Sequence, residues 1–174
     1  HKSSRGLGDV YKRQDRMYLS KCKLGGEWAV GSMMDFEDLV ISPAAGVLNY
    51  GQGLFEGMKA QRASDGSIVL FRPDRNAKRA QEGALRLGMP PVPEEIFLDA
   101  VIKTVRENSR WVPPMGKGAL YIRPLLMGSG PILGVAPAPE YTFLVFTSPV
   151  GPYFKGGITP TSLRVSERFH RACL

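Results

Sequence analysis

Asn49-Tyr50-Gly51-Gln52-Gly53-Leu54-Phe55-Glu56-Gly57 places three glycines, two aromatic rings and one carboxylate within nine residues. Glycines this close together leave backbone bare enough for a sharp turn and for close approach to the N–H groups. Tyr50 and Phe55 read either as core aromatics or as walls of a pocket, and their glycine neighbours favour the pocket. Glu56 reads as a brace for the loop through backbone N–H groups, with a catalytic role as the other reading.

Outward from this run the period of the chain changes twice. Met58 to Arg62 and Ile68 to Phe71, joined through Ser64-Asp65-Gly66, predict a β-hairpin, because Asp-Gly is a favoured turn pair. Pro73 suits a first helical turn and Asp74 complements its dipole, so Pro73 to Leu87 is expected to be a helix stopped by Gly88, with Ala77, Ala80, Ala84 and Leu87 inward. Ile96, Phe97, Ala100, Val101, Thr104 and Val105 recur at helical spacing and predict a second helix over Pro93 to Asn108. Upstream, Met17 to Cys22, Glu27 to Val30 and Asp38 to Ile41 are expected as strands. Downstream, Ala119 to Met127 and Tyr141 to Thr147 read as buried strands, and Leu163 to Val165 as a last strand. Strands, two helices, then strands again indicate an α+β fold: a largely antiparallel sheet with two helices packed on it, a two-layer sandwich. The expected organisation is a non-native or disordered tail over 1–16, a small domain over 17–155, and a linker into further sequence over 156–174.

Composition narrows the function classes. The chain has 174 residues, of which 43% are apolar and 22% charged, enough for one domain with a core or for part of a larger protein. No apolar run approaches the roughly 20 residues needed to span a bilayer, and the chain reads as a soluble one. Cys22 and Cys173 lack CxxC spacing and, with only His1 and His170 to help, do not compose a zinc site, so no metal is expected. The net charge of +7 suggests an anionic partner, but Lys2, Arg5, Lys12, Arg13 and Arg16 cluster at the start and the other cations are interleaved with acids. Nucleic acid and membrane are therefore not expected partners, and a non-catalytic anion-binding module is the alternative from another class.

Two further groupings could carry chemistry. Arg79, on the helix that follows Phe71-Arg72-Pro73, offers the paired donors that suit a phosphate, or else solvates a helix face together with Arg75, Lys78 and Arg86. Tyr121 and Arg123 in Leu120-Tyr121-Ile122-Arg123-Pro124 stand two apart, so a strand would point both to one face. There they could hold a carboxylate, or form an exposed pair on an edge strand.

The glycine-rich run, the Met58-Lys59-Ala60 and Leu70-Phe71-Arg72-Pro73 segments that follow it, and the Tyr121-Ile122-Arg123-Pro124 strand together resemble the branched-chain-amino-acid aminotransferases of fold-type IV. The resemblance covers about Met17 to Ala172 and implies the small domain of such an enzyme, with pyridoxal 5′-phosphate as cofactor and transfer of the amino group of leucine, isoleucine or valine to 2-oxoglutarate. It implies that Arg79 holds the cofactor phosphate, that Tyr121 and Arg123 orient substrate, and that Tyr50, Phe55, Val135 and Tyr153 shape the substrate pocket. It also implies a homodimer, in a cytosolic, mitochondrial or plastid setting. The family's Schiff-base lysine lies in the large domain after a second glycine-rich loop. Lys59, Lys117 and Lys155 do not match it, so the chain is expected to be an N-terminal fragment, inactive by itself. Aminotransferases for D-amino acids and aminodeoxychorismate lyases are the alternatives within the fold.

Overall fold

The computed structural model describes residues 14–151, 160 and 162–168. The strands β1 (Arg16–Lys23), β2 (Ser32–Asp35), β3 (Gly53–Phe55), β4 (Met58–Arg62), β5 (Ile68–Leu70), β6 (Ala119–Gly128) and β7 (Glu140–Val150) form one sheet. Its order is β2-β1-β7-β6-β4-β5, with β3 also paired to β6. All pairings are antiparallel. The helices are a short α1 (Gly46–Tyr50), then α2 (Pro73–Arg86) and α3 (Glu94–Glu107). The α+β architecture expected from the element order is the one observed, with α1 as an addition.

Alternation along β6 and β7 decides which face the helices cover. Leu120, Ile122 and Leu126 of β6 and Tyr141, Phe143 and Val145 of β7 belong to one buried cluster with Ala77, Ala80 and Ala84 of α2 and Phe97, Ala100, Val101 and Val105 of α3. Phe97 is fully buried and stacks on Phe143 with ring centroids 5.6 Å apart. Burying a side chain of that size contributes about 1.5–3 kcal/mol.

Several boundaries differ from expectation, each for a local reason. Leu87 is 42% exposed, whereas Met89 is buried. Helix α2 ends in a Schellman turn, with Gly88 at φ +63° and Met89 N–H donating to Ala84 O at 2.9 Å, and this delivers Met89 to the core in Leu87's place. Glu27 to Val30 is no strand: Ser20 Oγ donates to Ala29 O and Gly31 N–H to Tyr18 Oη, and the ladder with β1 starts only at Ser32. Asp38 to Ile41 and Leu163 to Val165 also lie outside the sheet, with Val40, Leu163 and Val165 almost fully exposed. β1 starts at Arg16, one residue before the expected Met17, and Gln14 Oε1 accepts from Thr147 N–H at 2.8 Å.

One irregularity shapes the rest of the molecule. β3 pairs with Leu125–Met127 and β4 with Leu120–Ile122, so both occupy the same edge of β6 with Glu56-Gly57 between them. Glu56 N–H donates to Pro124 O at 2.9 Å. In an antiparallel ladder the N–H and C=O of a residue point to the same neighbour, so Pro124 has no donor to return across this edge. The strand pairing lapses there without a slip: Phe55 opposite Leu125 and Met58 opposite Ile122 keep one register, which leaves Glu56 facing Pro124.

Candidate functional site

The face of the sheet away from α2 and α3 carries Tyr121 and Arg123. β6 is flanked by β7 on one side and by β3 and β4 on the other, which excludes the reading of these two residues as an exposed edge pair. Arg123 Nε and Nη2 donate to Tyr121 Oη at 3.2 and 2.9 Å. The guanidinium carbon of Arg123 lies 4.1 Å from the Phe55 ring centroid and 5.3 Å from that of Tyr121. Phe55 reaches this position because β3 pairs it with Leu125, on the same face of β6 as Arg123. A guanidinium seated between two rings is held flat, with its remaining donors able to meet a carboxylate.

Arg79 lies beside Glu56, at the gap between β3 and β4. Helix α2 is entered through Arg72 in the left-handed conformation, φ +47°, with Pro73 at its first position. Two turns on, Arg79 Nε and Nη2 donate to Glu56 Oε1 and Oε2 at 3.1 and 2.7 Å, and Asn76 Nδ2 donates to Glu56 Oε2 at 2.7 Å. The hydrogen bonding of Arg79 to the Glu56 carboxylate, followed by that group's charge, raises the Arg79 pKa above the ordinary arginine value, so the group stays cationic. Arg79, Asn76, Gly57, Lys59, Phe71 and Tyr121 line one cleft of about 720 Å³. Arg79 and the Tyr121–Arg123 pair are thus brought to one region of the surface.

The glycines of the quoted run serve packing as well as turning. A Cβ on Gly57 would lie 2.5 Å from Tyr121 Oη, and one on Gly53 would lie 3.1 Å from Val47 Cγ2. Only Gly51 adopts a left-handed φ, +64°, where it caps α1. Tyr50 and Val135 line a separate shallow hollow of about 300 Å³ beside Gln52 and Leu87, and Val135 is 96% exposed. They do not join Phe55, Tyr121 and Arg123 in a common pocket, and Tyr153 lies outside the described residues. Glu56 braces its loop, but through the side chains of Asn76 and Arg79 rather than through backbone N–H groups. Asn76 carries no signal of its own in the sequence. The available signal is Pro124, whose missing donor in a buried strand demands a break in the facing chain.

The site's donor set fits a phosphate. Glu56 engages the Nε and Nη2 donors of Arg79, and the Nη1 end, which has no partner among the described residues, is left for an anion in the cleft. Among those residues no group of three or more His, Cys, Asp or Glu side chains could hold a metal, and no helix is long and apolar enough to cross a membrane.

The chain is 58% identical over 167 residues to branched-chain-amino-acid aminotransferase 3, chloroplastic, of Arabidopsis thaliana, an alignment covering 95% of this chain and 40% of that protein. It is 56% identical over 166 residues to the chloroplastic branched-chain amino acid aminotransferase 2 of Humulus lupulus, covering 95% of this chain and 41% of that protein. The chain belongs to the branched-chain aminotransferase family. It spans about 40% of the length of these curated relatives. Among solved structures, the branched-chain aminotransferase of Thermoproteus uzoniensis with norvaline superposes with a TM-score of 0.65 at 26% identity, covering 81% of this chain and 42% of that one. Another solved branched-chain amino acid aminotransferase, holding pyridoxamine 5′-phosphate, superposes with a TM-score of 0.61 at 25% identity, covering 80% of this chain and 41% of that one. No family model matches the chain.

Proposed function

We propose that the full-length protein carrying this chain transfers the amino group of leucine, isoleucine or valine to 2-oxoglutarate with pyridoxal 5′-phosphate as cofactor. The observation that carries this reading is the placing of Arg79 and the Phe55–Tyr121–Arg123 group around the gap between β3 and β4. The relatives bear the aminotransferase name, and a similar solved enzyme holds pyridoxamine 5′-phosphate. When bound, the cofactor supplies the electron sink that the reaction needs.

Each residue of the chain then has a defined task. Arg79 meets the phosphate by charge-assisted hydrogen bonds, a planar donor set against a tetrahedral anion. Arg123, flattened against Phe55 and bonded to Tyr121, receives the carboxylate that every amino-acid and 2-oxo-acid substrate carries. Phe55 presents an apolar surface beside it and excludes water. Tyr50 and Val135, in their own hollow, are positioned to meet an aliphatic side chain only when further protein closes over them, in a homodimer or from the rest of the polypeptide. An apolar pocket discriminates by about 1–3 kcal/mol per methylene, so leucine, isoleucine and valine are accepted together. Plastid and mitochondrion, the compartments in the relatives' names, are the proposed locations.

The test uses the full-length protein. Arg79→Ala is expected to weaken binding of pyridoxamine 5′-phosphate by roughly ten- to a hundred-fold, and Arg123→Gln to raise KM for leucine and 2-oxoglutarate alike by a similar factor. Unchanged cofactor affinity in Arg79→Ala would remove the phosphate role, and absence of leucine-dependent glutamate formation by the wild type would reject the activity.

A further inference from the structure

We propose that Glu56 is a positioning residue for Arg79, fixing the plane in which that guanidinium presents its free donors. The inference rests on the reading of Arg79 as the phosphate-holding group.

Three observations carry it. Glu56 stands in the gap between β3 and β4, opposite Pro124, where its N–H is taken by the Pro124 carbonyl at 2.9 Å and its side chain is 12% exposed. Its two oxygens accept from Nε and Nη2 of Arg79, the fork geometry that locks a guanidinium in one plane. Asn76, itself buried, donates to Glu56 Oε2 at 2.7 Å and to Gly57 O at 3.3 Å, so the carboxylate cannot swing away from α2. Arg79 is by contrast 58% exposed and without Glu56 would sample many rotamers.

Charge alone argues against a carboxylate here. A negative group beside a phosphate-holding arginine repels the phosphate. Its presence is accounted for by geometry: ordering the long side chain before the ligand arrives removes an entropic cost from binding. The same gap holds Gly57, over which the Tyr121 ring lies, so Glu56 also sets the phosphate-holding group relative to the substrate-holding pair.

The experiment compares pyridoxamine 5′-phosphate with pyridoxamine, which differ only in the phosphate, by titration of the full-length protein stripped of cofactor. Glu56→Gln is expected to weaken binding of the phosphorylated ligand by about ten-fold, the share that ordering one arginine accounts for, and to leave pyridoxamine unchanged. In an Arg79→Ala background the same substitution is expected to have no further effect. Glu56→Asp, which keeps the charge and shortens the reach, is expected to act in the same direction and carries the test if Glu56→Gln lowers the folded fraction. Equal or tighter binding of the phosphorylated ligand, an equal loss for pyridoxamine, or an undiminished loss in the Arg79→Ala background would each overturn the proposal. Failure of the underlying reading is separate: it would show as wild-type affinity in Arg79→Ala alone.

Discussion

Gly57 shows how much a single absent side chain decides. Its φ is not left-handed, so alanine is conformationally acceptable there, yet the new Cβ would sit 2.5 Å from Tyr121 Oη and 3.2 Å from Tyr121 Cζ. The ring must move, and with it the guanidinium of Arg123 that donates to its hydroxyl. Gly57→Ala is expected to cost about 1–3 kcal/mol of stability, as overpacking does, and to raise KM for amino and 2-oxo acids. Thermal unfolding and steady-state kinetics of the full-length protein check this; an unaltered KM would show that the Tyr121–Arg123 geometry is not set by Gly57. Tyr121 and Arg123 are readable as a pair because a strand repeats every two residues. The partners of Glu56 are not, because Asn76 and Arg79 lie on a helix 20 and 23 residues away and meet it only once α2 is packed.

At the level of elements, the C-terminus of α3 and the start of β1 are joined by one buried amide. Asn108 Oδ1 accepts from Asp15 N–H at 2.7 Å and Arg16 N–H at 3.2 Å, while its Nδ2 donates to Arg16 O and Thr104 O, both at 2.8 Å. Asn108→Ala removes these four bonds, leaving Thr104 O only the bond from the residue 108 N–H, and is expected to destabilise by about 2–3 kcal/mol, measured as a lower denaturation midpoint at unchanged m-value. Beside it, Asp15 accepts from Arg110 and from Trp111 Nε1, and the Arg110 hydrogen bond lowers the Asp15 pKa despite some opposing desolvation. A carboxylate with a depressed folded pKa contributes stability above its unfolded value, and that contribution fades as pH falls through the folded value. Stability is therefore expected to decline below about pH 4, and Asp15→Asn to make that decline shallower. Parallel acid profiles for the two proteins would refute the assignment. The helices are legible from their period and stop signals. The strands expected at Glu27–Val30 and Asp38–Ile41 do not form, because β-propensity does not reveal whether a ladder partner exists.

For the molecule as a whole, helices α2 and α3 cover one face of the sheet, the other face carries Tyr121 and Arg123, and Arg79 reaches the cleft from α2. Apolar side chains stand exposed there: Phe55, Val69 and Phe71 near the cleft, and Tyr50, Leu87 and Val135 at the hollow. Exposed apolar side chains gathered in this way suit contact with further protein. The segment 14–151 produced by itself is expected to enhance the fluorescence of anilinonaphthalene sulfonate strongly, and the full-length protein to do so weakly. Equal enhancement per mole would mean that these side chains are not covered in the full-length protein.

Periodicity and turn chemistry, which act within a few residues, determined the α+β class, the hairpin, both long helices and the same-face pairing of Tyr121 with Arg123. The glycine-rich run and the Tyr-Ile-Arg-Pro strand determined the family resemblance. Tertiary structure alone decided that Phe55 lies against Arg123, that Glu56 grips Arg79 and that Met89 replaces Leu87 in the core. Each of these depends on which faces meet when distant elements pack, and no local pattern encodes that meeting. Pro124 joins the two levels: its missing N–H is written in the chain, but it faces Glu56 across a gap in the pairing only because β3 and β4 both lie along that edge of β6.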